Sequence, residues 1–252
     1  MANATRHLAP AKKDCIGAGV KDDKLTVIIP CAGVGRRMKS QGPKGLFELH
    51  GGITILERQL HVLWQTFPNV EVVLVAGFGG NLIYEKIKTC YPVRLIHNHH
   101  YNETSVCFSI GLGLQATINN DILIVYGDLV FNSHVLDGVT VPTSSRIVVD
   151  NKGQIRSEEV GVVSPEGIVT NVSYGVKQKW GQIAYFTGRE VQLMRDIACG
   201  SKSHTWIGSE LINTIINLGG RIETIEHAKS KIVEVDSVKD LEKARKTFNA
   251  SS

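Results

Sequence analysis

An apolar run, Val27-Ile28-Ile29, breaks at Pro30-Cys31 into Ala32-Gly33-Val34-Gly35-Arg36-Arg37-Met38, and Pro43-Lys44 follows a short way on. A buried strand running straight into a glycine-rich turn is how a parallel α/β layer begins. Glycines let backbone amides approach an anion that a Cβ would hold off, and some turn residues need φ > 0. Arg36, Arg37 and Lys44 add positive charge beside those amides. Strand, glycines and cations in this order read as a polyphosphate-binding loop. The competing reading is a basic connection that happens to be glycine-rich.

Spacing excludes two familiar loops. A dinucleotide fingerprint needs a third glycine where Met38 stands. A Walker-type loop closes with Gly-Lys-Ser/Thr, which Gly42-Pro43-Lys44-Gly45 does not supply.

The 252 residues suit one larger α/β domain. The chain is 42% apolar and 21% charged, and no apolar run is long enough to cross a bilayer. A net charge of +4 suits acidic small molecules in a pocket better than a nucleic-acid surface. Cys15, Cys31, Cys90, Cys107 and Cys199 are scattered without CxxC spacing, which points to free thiols in a reducing, cytoplasmic compartment. Residues 1–24 lack the apolar stretch of a secretory signal and read as a flexible tail.

From residue 25 the pattern alternates as parallel α/β chains do. Strands are expected at 25–30, 70–76, 93–97 and 121–126, with helical faces between them and a third helix at 104–117. Strands at 145–150, 160–163, 168–174 and 182–186 come next, joined by turns. Helices at 190–198 and 209–218, strands at 221–225 and 232–235, and a helix capped by Ser237 complete the chain. One domain, 25–248, is expected, with a nucleotide half at about 25–140 and a β-rich acceptor wall at about 141–248.

Ligands in open α/β sheets sit at the carboxyl ends of the strands. Asp128 follows the apolar strand 122–125, where it can hold a hard cation or simply cap a turn. Asp236 ends the last strand just before the last helix. Two strand-end aspartates beside a triphosphate loop match the way Mg2+ takes one or two carboxylates in phosphoryl chemistry. His97, His99 and His100 form a cluster, but no Cys or distant ligand pattern accompanies them to make a zinc site.

The loop resembles the signature of nucleotidyltransferases with a Rossmann-like, GT-A-type α/β fold: strand, Ala-Ala-Gly-x-Gly-x-Arg-Leu/Met, short loop, Pro-Lys. Cys31 stands where the first small residue belongs. Val233-Glu234-Val235-Asp236-Ser237-Val238-Lys239-Asp240 resembles the late Asp-Ser/Thr-x-x-Asp motif of the same family. The likeness is nearest to bacterial choline-phosphate cytidylyltransferases and their phosphonate-using relatives. It implies transfer of a nucleoside monophosphate from a triphosphate to a small phosphorylated acceptor, with release of pyrophosphate.

By that resemblance Arg37 and Lys44 are the catalytic cations. Ala32 and the amides of Gly33, Val34, Gly35 and Arg36 cradle the phosphates, and Asp128 with Asp236 holds Mg2+. Gly77, Asn102, Thr104 and Ser105 lie near base and ribose, the other reading of 101–105 being a solvated loop that leads into a capped helix. For the acceptor, Lys177 or Lys179 supplies a cation, and Trp206 and Glu210 offer an aromatic face and a carboxylate to an amine. For either lysine a solvated turn residue is the better reading, and Trp206 and Glu210 are equally read as ordinary helix-face residues. Rival readings are a sugar-1-phosphate nucleotidyltransferase using UTP or dTTP, a glycosyltransferase of similar fold, and a non-catalytic nucleotide-binding regulator. No nucleic-acid or membrane partner is expected, and a homodimer is compatible with the sequence.

Overall fold

The computed structural model describes residues 25–35, 42–141, 143–152 and 155–248. The tail read at 1–24 lies outside them, as do Arg36 and Arg37. β1 (Leu25–Cys31) is apolar on both faces because both are covered: Val27 and Ile29 pack into one core, Ile28 into another. α1 (Ile55–Thr66) starts at a capping box. Thr54 Oγ1 accepts from Glu57 N at 3.2 Å, and Glu57 Oε2 accepts from Thr54 N at 2.8 Å. Leu56, Leu60 and Leu63 then face the sheet.

β2 (Glu71–Ala76), α2 (Gly80–Ile87), β3 (Val93–His97), α3 (Val106–Gln115) and β4 (Asp121–Val125) continue the expected alternation. β1 pairs in parallel with β2 and β4, and β2 with β3. α3 begins later than the expected 104: Thr104 Oγ1 turns back to donate to His100 O, and Ser105 is the residue outside the helix.

The rest of the chain comprises β5 (Leu129–Phe131), β6 (Ser145–Asp150), β7 (Val160–Val163), β8 (Asn171–Tyr174), β9 (Gln178–Thr187), α4 (Gly188–Ala198), α5 (Gly208–Asn217), β10 (Ile222–Ile225), β11 (Ile232–Glu234) and α6 (Val238–Thr247). The main sheet runs β10-β6-β9-β4-β1-β2-β3, with the β7–β8 hairpin branching from the start of β9. Thus β9, β6 and β10 extend the sheet of β1–β4 beyond β4. The architecture is mixed α/β with mostly parallel strands in the nucleotide half, as the sequence implied.

Two differences matter for the site. The segment after Asp128 is a strand, β5, paired antiparallel with β11, which brings residues 129 and 234 into register. A third cluster of Val130, Val233, Val235, Leu241 and Ala244 seals that pair under α6. Also, β9 is longer than expected and bulged. Ile147 pairs with Ala184, yet Val149 pairs with Trp180, so β9 carries extra residues opposite β6.

Candidate active site

β1 and β4 are neighbours, so their carboxyl ends lie side by side. Past β4 the chain turns at Gly127, whose N–H donates to Pro30 O at 3.2 Å. A Cβ there would lie 2.5 Å from Cys31 Cβ, so the turn can nest against β1 only as glycine. Asp128 follows immediately. Its backbone oxygen accepts from Val235 N at 2.9 Å, which ties it to the residue before Asp236. Ser237 caps α6, and its hydroxyl donates to Asp240 Oδ2 at 2.7 Å while that oxygen also accepts from Asp236 N at 3.3 Å. Asp240 therefore orients the backbone of Asp236, a local reason for the Asp-Ser-x-x-Asp spacing.

Lys44 opens a short 3-10 turn behind Pro43 and reaches both acids. Its Nζ lies 3.1 Å from Asp128 Oδ2 and makes a second ion pair with Asp236 Oδ1. Burial alone would lower the Lys44 pKa, but Asp128 and then Asp236 overcome it and carry the value above the ordinary lysine range. Gly35, in the left-handed region at φ +61, packs toward the Lys44 stem, so the glycine loop and this lysine share one wall.

Sequence reasoning missed the third acid. Donor oxygens of Asp128, Glu234 and Asp236 all lie within 4.8 Å of one another. Burial, then the Asp128 carboxylate, pushes the Glu234 carboxyl above its usual value. Asp128 Oδ1 is buried without a hydrogen-bond partner. Clustered oxygen donors with one such orphan fit a hard divalent cation such as Mg2+. The signal was present, because Glu234 stands two residues before Asp236 on the same strand edge.

Sequence reasoning also missed Gln59, which lies among the apolar residues of the α1 face and is 1% exposed. Its Nε2 donates to Tyr126 O and Leu129 O, each at 2.8 Å, and so straps the turn that carries Asp128.

Two cavities meet at Asp236. One, of about 260 Å³, is lined by Cys31, Gly33, Gly35, Lys44, Gly127 and Asp128. The other, of about 370 Å³, is lined by Arg156, Glu158, Glu159, Tyr174, Gln182, Glu234 and Asp240. Cys31 faces the first cavity as an unreactive thiol, its pKa pushed up to about 12 by burial and by Asp128.

The remaining expected residues divide. Ala32 is buried and Val34 half-buried, beside the exposed Gly33. Tyr101 packs on Gly77, where a Cβ would lie 2.6 Å from Tyr101 Cβ and 2.8 Å from Ala32 O. That places Gly77 against the glycine loop. Thr104 accepts from Asn98 Nδ2 at 3.1 Å and Ser105 N donates to His204 O at 2.8 Å, so both brace the loop after β3; Asn102 is exposed.

On the acceptor side the structure separates the two lysines. Lys177 is exposed. Lys179 Nζ lies 2.5 Å from Glu159 Oε1 and 3.7 Å from Glu234 Oε2. Glu210 accepts from Ile207 N at 2.7 Å at the start of α5, and Trp206 packs against the core beside it; neither lines the two cavities.

His134, Asp137 and His227 form a second donor group near the surface. The N–H of Lys229 points at His227 Nδ1, which keeps the proton on Nε2, the atom facing Asp137. Asp137 Oδ2 lies 2.9 Å from His134 Nδ1 and 3.6 Å from His227 Nε2, so the carboxylate hydrogen-bonds one imidazole and faces the other, whose Nε2 proton is opposite to the tautomer a metal needs there.

A glycine loop, a lysine and a trio of acids at the carboxyl edge of a mixed sheet define a nucleotidyltransferase. The chain belongs to the family of the MobA-like NTP transferase domain, whose model matches residues 27–152. The bifunctional protein GlmU of Coxiella burnetii is 37% identical over 110 residues, which is 42% of this chain and 22% of that protein. GlmU of Campylobacter concisus is 39% identical over 72 residues, 28% of this chain and 16% of that protein. The aligned part thus spans about a fifth of these longer relatives.

Among solved structures, an inositol-1-phosphate CTP transferase from T. maritima superposes with a TM-score of 0.75 at 16% identity, covering 90% of this chain and 97% of that one. The CTP:phosphocholine cytidylyltransferase of Streptococcus pneumoniae gives 0.72 at 16%, covering 89% and 99%. A UDP-glucose pyrophosphorylase gives 0.70 at 13%, covering 90% and 99%. At such identities the likeness is one of fold.

Proposed function

We propose that the chain transfers CMP from CTP to a small phosphorylated or phosphonate acceptor bearing an amine, with Mg2+ and with release of pyrophosphate. The observation that carries this reading is the meeting of two cavities at Asp236, one walled by the glycine loop and Lys44, the other by acids, Arg156 and an aromatic ring. A two-substrate transfer needs such a junction, because acceptor oxygen and α-phosphorus must come together in line.

The acceptor phosphate is already an anion, so no general base is needed. Asp128, Asp236 and Glu234 would hold the Mg2+, which neutralises triphosphate charge when bound. Amides of the glycine loop, with Arg37, would hold the β- and γ-phosphates. Lys44, freed from the acid pair, would take up charge developing on the α-phosphate. Lys179, already beside Glu234, supports a role in holding the acceptor phosphate.

Glu158, Glu159, Glu234 and Asp240 outnumber Arg156, the one cation among the described residues that line the second cavity, and with Tyr174 they favour a cationic head group over a neutral sugar there. Solved relatives of this fold include users of CTP and a UDP-glucose pyrophosphorylase, so the acceptor cavity supports the choice more than the fold does. Pyrophosphate release across a panel of nucleotides and phosphomonoesters tests it. Turnover with UTP or dTTP and a hexose-1-phosphate, but not with CTP and any amino-alcohol phosphate or aminophosphonate, would replace it with the sugar-nucleotide reading.

A further inference from the structure

We infer that Gln182 is a positioning residue for the acid trio: a strained bulge in β9 turns its amide to Glu234, and its carbonyl holds the turn that carries Asp128. This rests on reading the acids as the metal site. Gln182 has φ +56 and is one of two non-glycine residues with positive φ among the described residues. An L-residue with a long side chain rarely adopts that conformation, and where it does the surrounding structure must impose it.

Here the surroundings are visible. The bulge lies opposite Val148 of β6, between the Ile147–Ala184 and Val149–Trp180 pairs. Gly181, just before it, fits tightly. A Cβ there would meet Ile232 Cδ1 at 3.0 Å and Val148 O at 3.2 Å. By strand alternation Gln182 shares the parity of Trp180, Ala184 and Phe186, all packed in one apolar core. An unbulged strand would bury the amide there. With the left-handed backbone, Gln182 instead lines the acceptor cavity alongside Glu234 and Asp236.

Two contacts then converge on the acids. The Gln182 side chain lies beside the Glu234 carboxyl in the cavity that both line. The Gln182 carbonyl accepts from Tyr126 N at 3.3 Å, two residues before Asp128. One residue therefore braces both the β4 side and the β11 side of the trio. Groups that orient metal ligands in this way typically change metal affinity 10–100-fold when removed.

The test uses Mn2+ in place of Mg2+, followed by electron paramagnetic resonance of the free ion without nucleotide, together with thermal unfolding. Gln182→Gly relieves the positive φ and deletes the amide. It should keep or raise the melting temperature while weakening Mn2+ binding by about tenfold. Gln182→Asn, which tolerates the left-handed region and keeps an amide, should recover part of the affinity. Unchanged Mn2+ affinity in Gln182→Gly, or affinity lost only in step with stability, overturns the role of Gln182. Wild-type protein that takes up no Mn2+ overturns the metal reading of the acids and this inference with it.

Discussion

One ammonium shared by two carboxylates sets the chemistry of Lys44, Asp128 and Asp236. Asp128→Ala and Asp236→Ala should each abolish metal-dependent pyrophosphate release. Both acids stand outside the apolar cores, so circular dichroism melts should stay close to wild type; normal rates at limiting Mg2+ would remove that residue from the site. Lys44 competes with a metal for the same oxygens. Lys44→Met should therefore bind Mn2+ on the order of tenfold more tightly, since a unit charge a few ångströms away is lost, while kcat falls about 10²-fold. Weaker Mn2+ binding in this variant would show that Lys44 helps to hold the metal. Cys31 gives a test by pH. With its pKa at about 12 it is almost wholly protonated at pH 8 and gains thiolate only as pH rises toward that value. Iodoacetamide at pH 8 should label exposed Cys90 and Cys199 in the native protein and spare Cys31, as read by peptide mass spectrometry. The two aspartates were legible in the sequence because each ends an apolar strand. Glu234 was visible only as an acid two residues before Asp236, since alternation along three residues of β11 does not reveal which partner strand it will lie beside.

At the scale of elements, the sequence showed the helices and strands whose burial is periodic and missed those made by distant partners. α1 announces itself through its leucine stripe, while its Thr54–Glu57 capping box came to light in the structure. β5 is a strand only because β11 pairs with it from far along the chain, and no local pattern encodes that. The bulge in β9 is equally silent: Gln182 reads as the first residue of an ordinary strand until Val148, Ile232 and Tyr126 are packed around it. Gln59 shows how an element far from the chemistry can control it. Its amide satisfies two carbonyls at the ends of the Asp128 turn, in a place water scarcely reaches. Gln59→Leu keeps the helix and the volume but leaves both carbonyls without that donor. The expected loss is about 2 kcal/mol in urea unfolding, with a fall in kcat larger than any rise in nucleotide KM, because Asp128 loses its fixed place. A stability loss with kinetics untouched would confine Gln59 to a structural role.

Across the whole molecule, the continuous sheet from β3 to β10 sets two cavities side by side and lets them share only their acidic border. That geometry makes the kinetic effects of substitutions separable. Gly33→Ala or Gly35→Ala disturbs the loop wall, and Gly35 also needs its positive φ, so nucleotide KM should rise with acceptor KM nearly unchanged. Tyr174→Ala and Glu158→Gln alter the far cavity, where Tyr174 is 53% exposed and free to face a ligand. For a cationic acceptor these two changes should raise acceptor KM by on the order of three- to thirtyfold, the range of a cation on an aromatic face, and leave nucleotide KM alone. For a phosphomonoester of equal size without a cationic head group the same variants should behave as wild type. Lys179→Ala should weaken both kinds of acceptor, because the phosphate is common to them. If Tyr174→Ala and Glu158→Gln penalise a hexose-1-phosphate as much as an amino-alcohol phosphate, the second cavity selects by shape rather than charge, and the sugar-nucleotide reading gains what the cytidylyl reading loses.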